Sequence, residues 1–336
     1  MRKKWIVICA ATMLAISMTG CGGNASSGES KASKTDSKTQ TETKQDEKTK
    51  GGESYKFEQV VYDQENVKIT AAGYEIDRKG THALIMKVQN DTDSTVGLMT
   101  NGLYINGMVM ESNSRITSAA SDAAMLLAMA DATGEDVDDY IERKFHPVAA
   151  GETKEITIDC YVNDAKEECL GTIQQIDVAV AVAKFTDMEN KETLGAEDLP
   201  AGEMISIHTD KFEGELKLPE VEGTEVYNKG GIRLVIMSME YDEDYNDFTA
   251  NIYAENHSDK VISISSDSVS INDFVVDMHF YMYDLAGGQM SVESMDSYDL
   301  DEIEKLDDIE NMEINFTIED ENTSEIIDTA VYTYAR

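Results

Sequence analysis

Five histidines are spread along the chain, at His82, His146, His208, His257 and His279. None stands in an H-x-H, H-E-x-x-H or Cys-plus-His spacing, so no local pattern encodes a transition-metal centre. A serine nucleophile elbow, a P-loop and a dinucleotide fingerprint are also missing from the sequence. The residues that could hold a cation are oxygen ligands. Asp242, Asp244, Asn246 and Asp247 crowd one short turn and open like a calcium loop, D-x-D-x-N. Asp247 then replaces the glycine such a loop needs, and Tyr253 stands in place of its bidentate glutamate. The turn reads either as a weak calcium site through Asp242, Asp244 and Asp247 or as an acidic turn facing solvent. Asp131 to Glu142 has the same defect, with Asp136 at the sixth position. No other cofactor is expected.

Cys160 and Cys169 are a second candidate. Joined, they would form a disulfide across a turn at Asn163-Asp164; apart, they would be two half-buried thiols, because sequence separation does not fix the geometry a disulfide needs. In the repeat described below, Asp296 and Lys305 align with them. The 18 methionines include Met125 and Met129 on one helical face and Met278, Met282 and Met290 further on. They read as core filling rather than an adaptable binding surface. Tyr241, Tyr245, Phe280, Tyr281 and Tyr283 fall near predicted turns or edges and would suit a glycan or peptide surface if exposed.

The N-terminus carries the most specific signal. Arg2, Lys3 and Lys4 precede an apolar run from Trp5 to Ser17, too short for a comfortable transmembrane helix. Met18-Thr19-Gly20-Cys21 follows. This segment resembles the signal of bacterial lipoproteins, with Met18 where leucine is usual. The resemblance implies a signal peptide over residues 1–20, lipid on Cys21, and a mature protein anchored on the extracellular side of the cell membrane. No later segment is long or apolar enough to span a bilayer. Residues 21–56 follow as a tether. Between Gly22 and Lys56 there are seven Lys and six Asp or Glu with almost no apolar side chains, too little to bury a core. As a random coil the tether reaches roughly 30–35 Å.

The net charge is −38. Because the tether is nearly neutral, this charge lies on the folded part. Such a surface repels nucleic acid and stays soluble, so no nucleic-acid partner is expected.

The elements that position these residues come in two copies. From Ala83 and from Ala250 an alternating apolar run ends in an asparagine, Asn90 or Asn256. A polar turn, a second alternating run and an Ile-Asn turn follow, at Ile105-Asn106 and Ile271-Asn272. Alternation marks strands with one buried face, and Asn106-Gly107 is a strong hairpin signal. Strands are predicted at 67–74, 82–90, 104–110, 155–162 and 176–183, with a helical turn at 164–170. The second copy places them at 232–241, 248–256, 261–264, 269–276, 290–294, 312–318 and 330–334, with a short helix at 299–306. Only the first copy has an insertion, about 112–144. Its Ala123, Ala124, Leu126 and Leu127 favour helix, and 136–143 predicts a second short helix. The insertion is either added function or a helical hairpin packed on the sheet.

These features predict an all-β chain of two tandem β-sandwich domains, 57–210 and 211–336, the first with the helical insertion, joined by a segment near 210–225 that is rigid or hinged. The repeated Ile-Asn hairpin after an Asn-terminated strand resembles tandem Ig-like extracellular domains of Firmicutes lipoproteins, similar to the immunoprotective extracellular domain family. That resemblance implies no catalytic residues. The first reading is a non-enzymatic, surface-tethered module that binds a protein, glycan or envelope component through a sandwich edge or the insertion; a calcium-stabilised spacer or an unrecognised hydrolase are the weaker readings.

Overall fold

The computed structural model describes residues 52–112, 136–186, 188, 194–242, 247–298, 303 and 305–336. The first half contains β1 (Glu53–Gln64), β2 (Val67–Ile76), β3 (His82–Asn90), β4 (Val96–Ile105), β5 (Met108–Val109), β6 (Glu111–Ser112), α1 (Val137–Phe145), β7 (Thr153–Tyr161), α2 (Asp164–Leu170), β8 (Gln175–Thr186), β9 (Gly195–Asp198) and β10 (Ile205–His208). The second contains β11 (Thr224–Lys229), β12 (Ile232–Asp242), β13 (Asp247–Asn256), β14 (Ile262–Ile271), β15 (Phe274–Val276), β16 (Tyr281–Leu285), β17 (Gln289–Tyr298), a 3-10 turn (Leu306–Asp308), β18 (Asn311–Asp320) and β19 (Glu325–Ala335). The fold is mostly β, in several sheets, and is not a barrel.

Among the described residues the strands form three sheets. The first runs β1-β2-β3-β7-β6 and the third β15-β14-β18-β19, with β16 also on β14. The middle sheet runs β10-β8-β4-β5-β17-β13-β12-β11, with β9 on β8. The same order therefore occurs in each half: β1-β2-β3-β7 matches β11-β12-β13-β17, and β5-β4-β8-β10 matches β15-β14-β18-β19.

The repeated asparagines bracket the corners. Asn90 and Asn256 are fully buried. The Asn90 amide donates to the Ser94 and Val148 carbonyls at 2.8 and 2.9 Å, and its oxygen accepts from Thr92 N at 3.0 Å. Asn256 repeats this with Lys260 O, Leu285 O and Ser258 N at 2.8, 2.7 and 2.9 Å. The Ile-Asn turns have left-handed backbones at Asn106-Gly107 (φ 52 and 82) and Asn272-Asp273 (φ 51 and 67), as two-residue type I′ hairpins require.

The halves share more than a join. Strand β17 lies parallel to β5, with Met290 opposite Met108 and Met290 N donating to Gly107 O at 3.0 Å. Val235, Tyr253, Met290 and Val292 belong to the first half's core, while their strand neighbours Leu234, Ile236, Ile252 and Ala254 pack in the second core. Both faces of these strands are thus buried. The joining segment is pinned as well. Gln174 Nε2 donates to Lys217 O at 2.8 Å, and Gln174 Oε1 accepts from Lys217 N at 3.1 Å.

Several expectations are corrected. The chain enters β1 at Glu53, inside the stretch read as tether, because the β2 edge recruits it and Tyr55 is buried. The strands expected at 261–264 and 269–276 are instead one strand, β14, plus β15. A bulge between Ser266 and Ser268 keeps Ile262, Ile264, Val269 and Ile271 on one buried face. Most of the helical insertion lies outside the described residues. Its end forms α1, where Asp136 caps the start by accepting from Asp138 N at 2.8 Å. Ile141 and Phe145 of α1 pack on Met99, Ala183 and Phe185. The corresponding face of the second half carries Ser265, Glu319 and Glu321. The helix and the apolar face beneath it occur together.

Candidate interaction surface

Strand β14 sends its isoleucines into the second core, and after the Asn272-Asp273 turn the chain returns along its edge as β15 and then β16. Alternation then sorts the side chains. Met278, Phe280 and Met282 are buried, so His279, Tyr281 and Tyr283 face outward. Asp284 has φ 55 and inserts an extra residue, which returns Leu285 to the core. The outward rings form a row along the strand. His279 and Tyr281 have ring centroids 6.2 Å apart and Tyr281 and Tyr283 5.6 Å apart, with planes 24° and 4° from parallel.

Tyr281 and Tyr283 are 51% and 60% exposed, and Phe274 and Val275 on β15 are 64% and 82% exposed. These four are among ten exposed large apolar side chains in the described residues; the other six are spread over five further segments. The concentration distinguishes this edge, since single exposed apolar residues are ordinary. Asp273, Asp277 and Asp284 are exposed around it, and Asp277 Oδ1 lies 2.9 Å from His279 Nε2. In the first half the corresponding strand, β5, has β17 alongside. Among the described residues, β15 and β16 pair only with β14.

The other sequence candidates are placed as follows. Cys21, Asp244, Tyr245, Met125 and Met129 lie outside the described residues. Asp242 and Asp247 are cross-strand partners closing the β12–β13 pair. Burial, then Asp296 and Asp242, raise the Asp247 carboxyl above its ordinary range. Its Oδ1 is buried without a hydrogen-bond partner. Among the described residues no three His, Cys, Asp or Glu side chains assemble as a metal-binding group.

Cys160 and Cys169 are both free and buried, so the disulfide considered above is not formed. Cys160 faces His82 across β7–β3, and burial pushes its thiol up to about 12. Cys169 is pushed up to about 11 by burial, and its sulfur lies 3.8 Å from Met237 Sδ. Strand pairing matches Cys160 with Ser297, opposite Phe248, one residue from the aligned Asp296.

Of the other histidines, His82 is buried with Nδ1 2.7 Å from the Tyr74 hydroxyl, His146 caps α1 with φ 45, and His208 stacks on Phe212 at 3.8 Å. Met278, Met282 and Met290 fill cores, Tyr241 is half-buried, and Phe280 meets Phe316 edge-on at 5.9 Å. Phe274 and Val275 were missed as surface residues. The signal was the apolar and aromatic run at 274–283, broken only by Asp277 and His279 and too rich for a strand with one wet face.

The chain matches no protein-family model and no curated protein sequence.

Proposed function

We propose that this chain is a bacterial lipoprotein, tethered through lipid on Cys21 to the extracellular side of the cell membrane, and that it works as a non-enzymatic binding module. Two tandem Ig-like sandwiches form its body. The strand order supports that reading: each half pairs its third strand with the strand after its insertion or loop, and crosses to a second sheet in between, as Ig-like folds do. The observation that carries the binding role is the exposed aromatic and apolar edge at Phe274–Tyr283 on an otherwise acidic molecule. The test has two parts. Palmitate labelling in a bacterial host is expected for the full chain and lost in Cys21→Ser. Retention of envelope components on the mature protein is expected to fall in Tyr281→Ser/Tyr283→Ser. Equal retention by this variant rejects the edge as the binding surface.

A calcium-stabilised spacer is the second reading. The pairing of Asp242 with Asp247 and the unpartnered Asp247 oxygen favour it. A melting temperature equal in EDTA and in calcium rejects it.

A further inference from the structure

We infer that the His279–Tyr281–Tyr283 row binds a cationic, extended polypeptide segment through its side chains; this rests on the binding role proposed above. Three observations select that occupant.

The first is the chemistry of the row. Tyrosine faces attract ammonium and, better, guanidinium groups within about 6 Å of a ring. Carboxylates at Asp273, Asp277 and Asp284 are exposed along the same stretch of chain, no Lys or Arg occurs between Val261 and Glu304, and Lys260, just before β14, is paired with Asp320 at 2.8 Å. Aromatic faces in an acidic stretch favour a cation over a neutral or anionic ligand. Phe274 and Val275, at the start of the same edge, supply apolar contact for the rest of such a segment.

The second concerns how the segment binds. Adding a strand to the edge needs a straight run of free backbone groups. Here β15 has three residues and β16 five, the segment between them leaves the ladder, and Asp284 bulges with φ 55. Short, bulged and charged edges resist strand addition. Recognition therefore falls to the outward side chains rather than to the backbone.

The third excludes a second copy of the chain. The net charge of −38 makes self-association unfavourable, and pairing this edge with itself would bring the same three carboxylates together from each side.

The probe is a capped octapeptide alternating Arg and Val, with fluorescent label, titrated into the mature protein in about 0.15 M salt, where interactions beyond about 8 Å are largely screened. Two controls accompany it: the same peptide with Glu for Arg, and a neutral β-linked hexasaccharide of N-acetylglucosamine. The expected result is binding of the Arg peptide alone. Its Kd should rise about tenfold in Tyr281→Ser/Tyr283→Ser and little in Tyr281→Phe/Tyr283→Phe, since the attraction comes from ring faces. It should rise less than tenfold in Asp277→Asn and stay unchanged in Ile326→Ser, an exposed apolar position on β19. An unchanged Kd in the serine double variant overturns the inference, because binding would then follow diffuse charge. Binding of the hexasaccharide that the double variant loses also overturns it, yet leaves the edge as a binding surface. Loss of envelope retention in the double variant with no binding of the Arg peptide overturns the inference alone. If the double variant changes neither, the binding role falls with it. Melting temperatures of all variants check that the exposed substitutions leave the fold intact.

Discussion

Asn106 shows how much one polar side chain holds. It is fully buried, and its amide donates to the Leu170 and Thr172 carbonyls, both at 2.8 Å. Its oxygen accepts from Gln174 N at 2.8 Å and Gln175 N at 3.0 Å. One residue thus satisfies the end of α2 and the start of β8 while its own backbone sits at φ 52. Asn272 makes the same bracket with Asp308 O, Glu310 N and Asn311 N at 2.9, 2.8 and 3.3 Å. Alanine at 106 strands several buried groups, each costing about 1–3 kcal/mol. Urea unfolding of Asn106→Ala is expected to show a loss of about 3 kcal/mol or more. Asn272→Ala should lose less, because its bracket is partly open to water. Equal losses at the two sites would contradict this. The sequence displayed these asparagines as repeated markers, but their partners lie more than sixty residues away for Asn106, and no local pattern encodes that distance.

At the scale of elements, alternation made most strands legible. The run from His82 to Asn90 and the helix from Asp164 to Leu170 stand where the pattern put them. Failures came where the pattern carried no local signal. The serines of β14 hid a continuous strand, because a bulge rather than apolar residues maintains its facing. Polar residues hid β1, whose ordering comes from the β2 edge. The role of α1 was also illegible in its own residues; it appears only against Met99, Ala183 and Phe185 of β4 and β8. Phe145 is 1% exposed and meets Phe185 edge-on at 5.2 Å. Phe145→Ala is therefore expected to cost about 3–5 kcal/mol in denaturant unfolding. A cost near zero would mean that α1 does not cover that face. The aromatic row belongs here too. Tyr281 and Tyr283 were visible as candidates, but their exposure follows from Met278, Phe280 and Met282 taking the core side.

At the scale of the molecule, the repeated strand pattern is readable in sequence and the coupling of the two halves is not. The middle sheet passes from β5 to β17, and side chains of β12, β13 and β17 fill the first core from their outer face. The apolar runs Leu234–Met237 and Ile252–Ala254 hint at strands buried on both faces, but nothing in the repeat says what covers the second face. The consequence is a rigid pair. Calorimetry of residues 52–336 is expected to give one transition with equal calorimetric and van't Hoff enthalpies, the mark of a single cooperative unit. Rigidity matters to the proposed role, since a stiff body presents the Phe274–Tyr283 edge in one fixed relation to the rest of the surface. The most direct test of that role is hydrogen exchange of the full mature protein with and without envelope extract. The account predicts slowed exchange along residues 274–285, and protection confined to any other segment, or none at all, contradicts it.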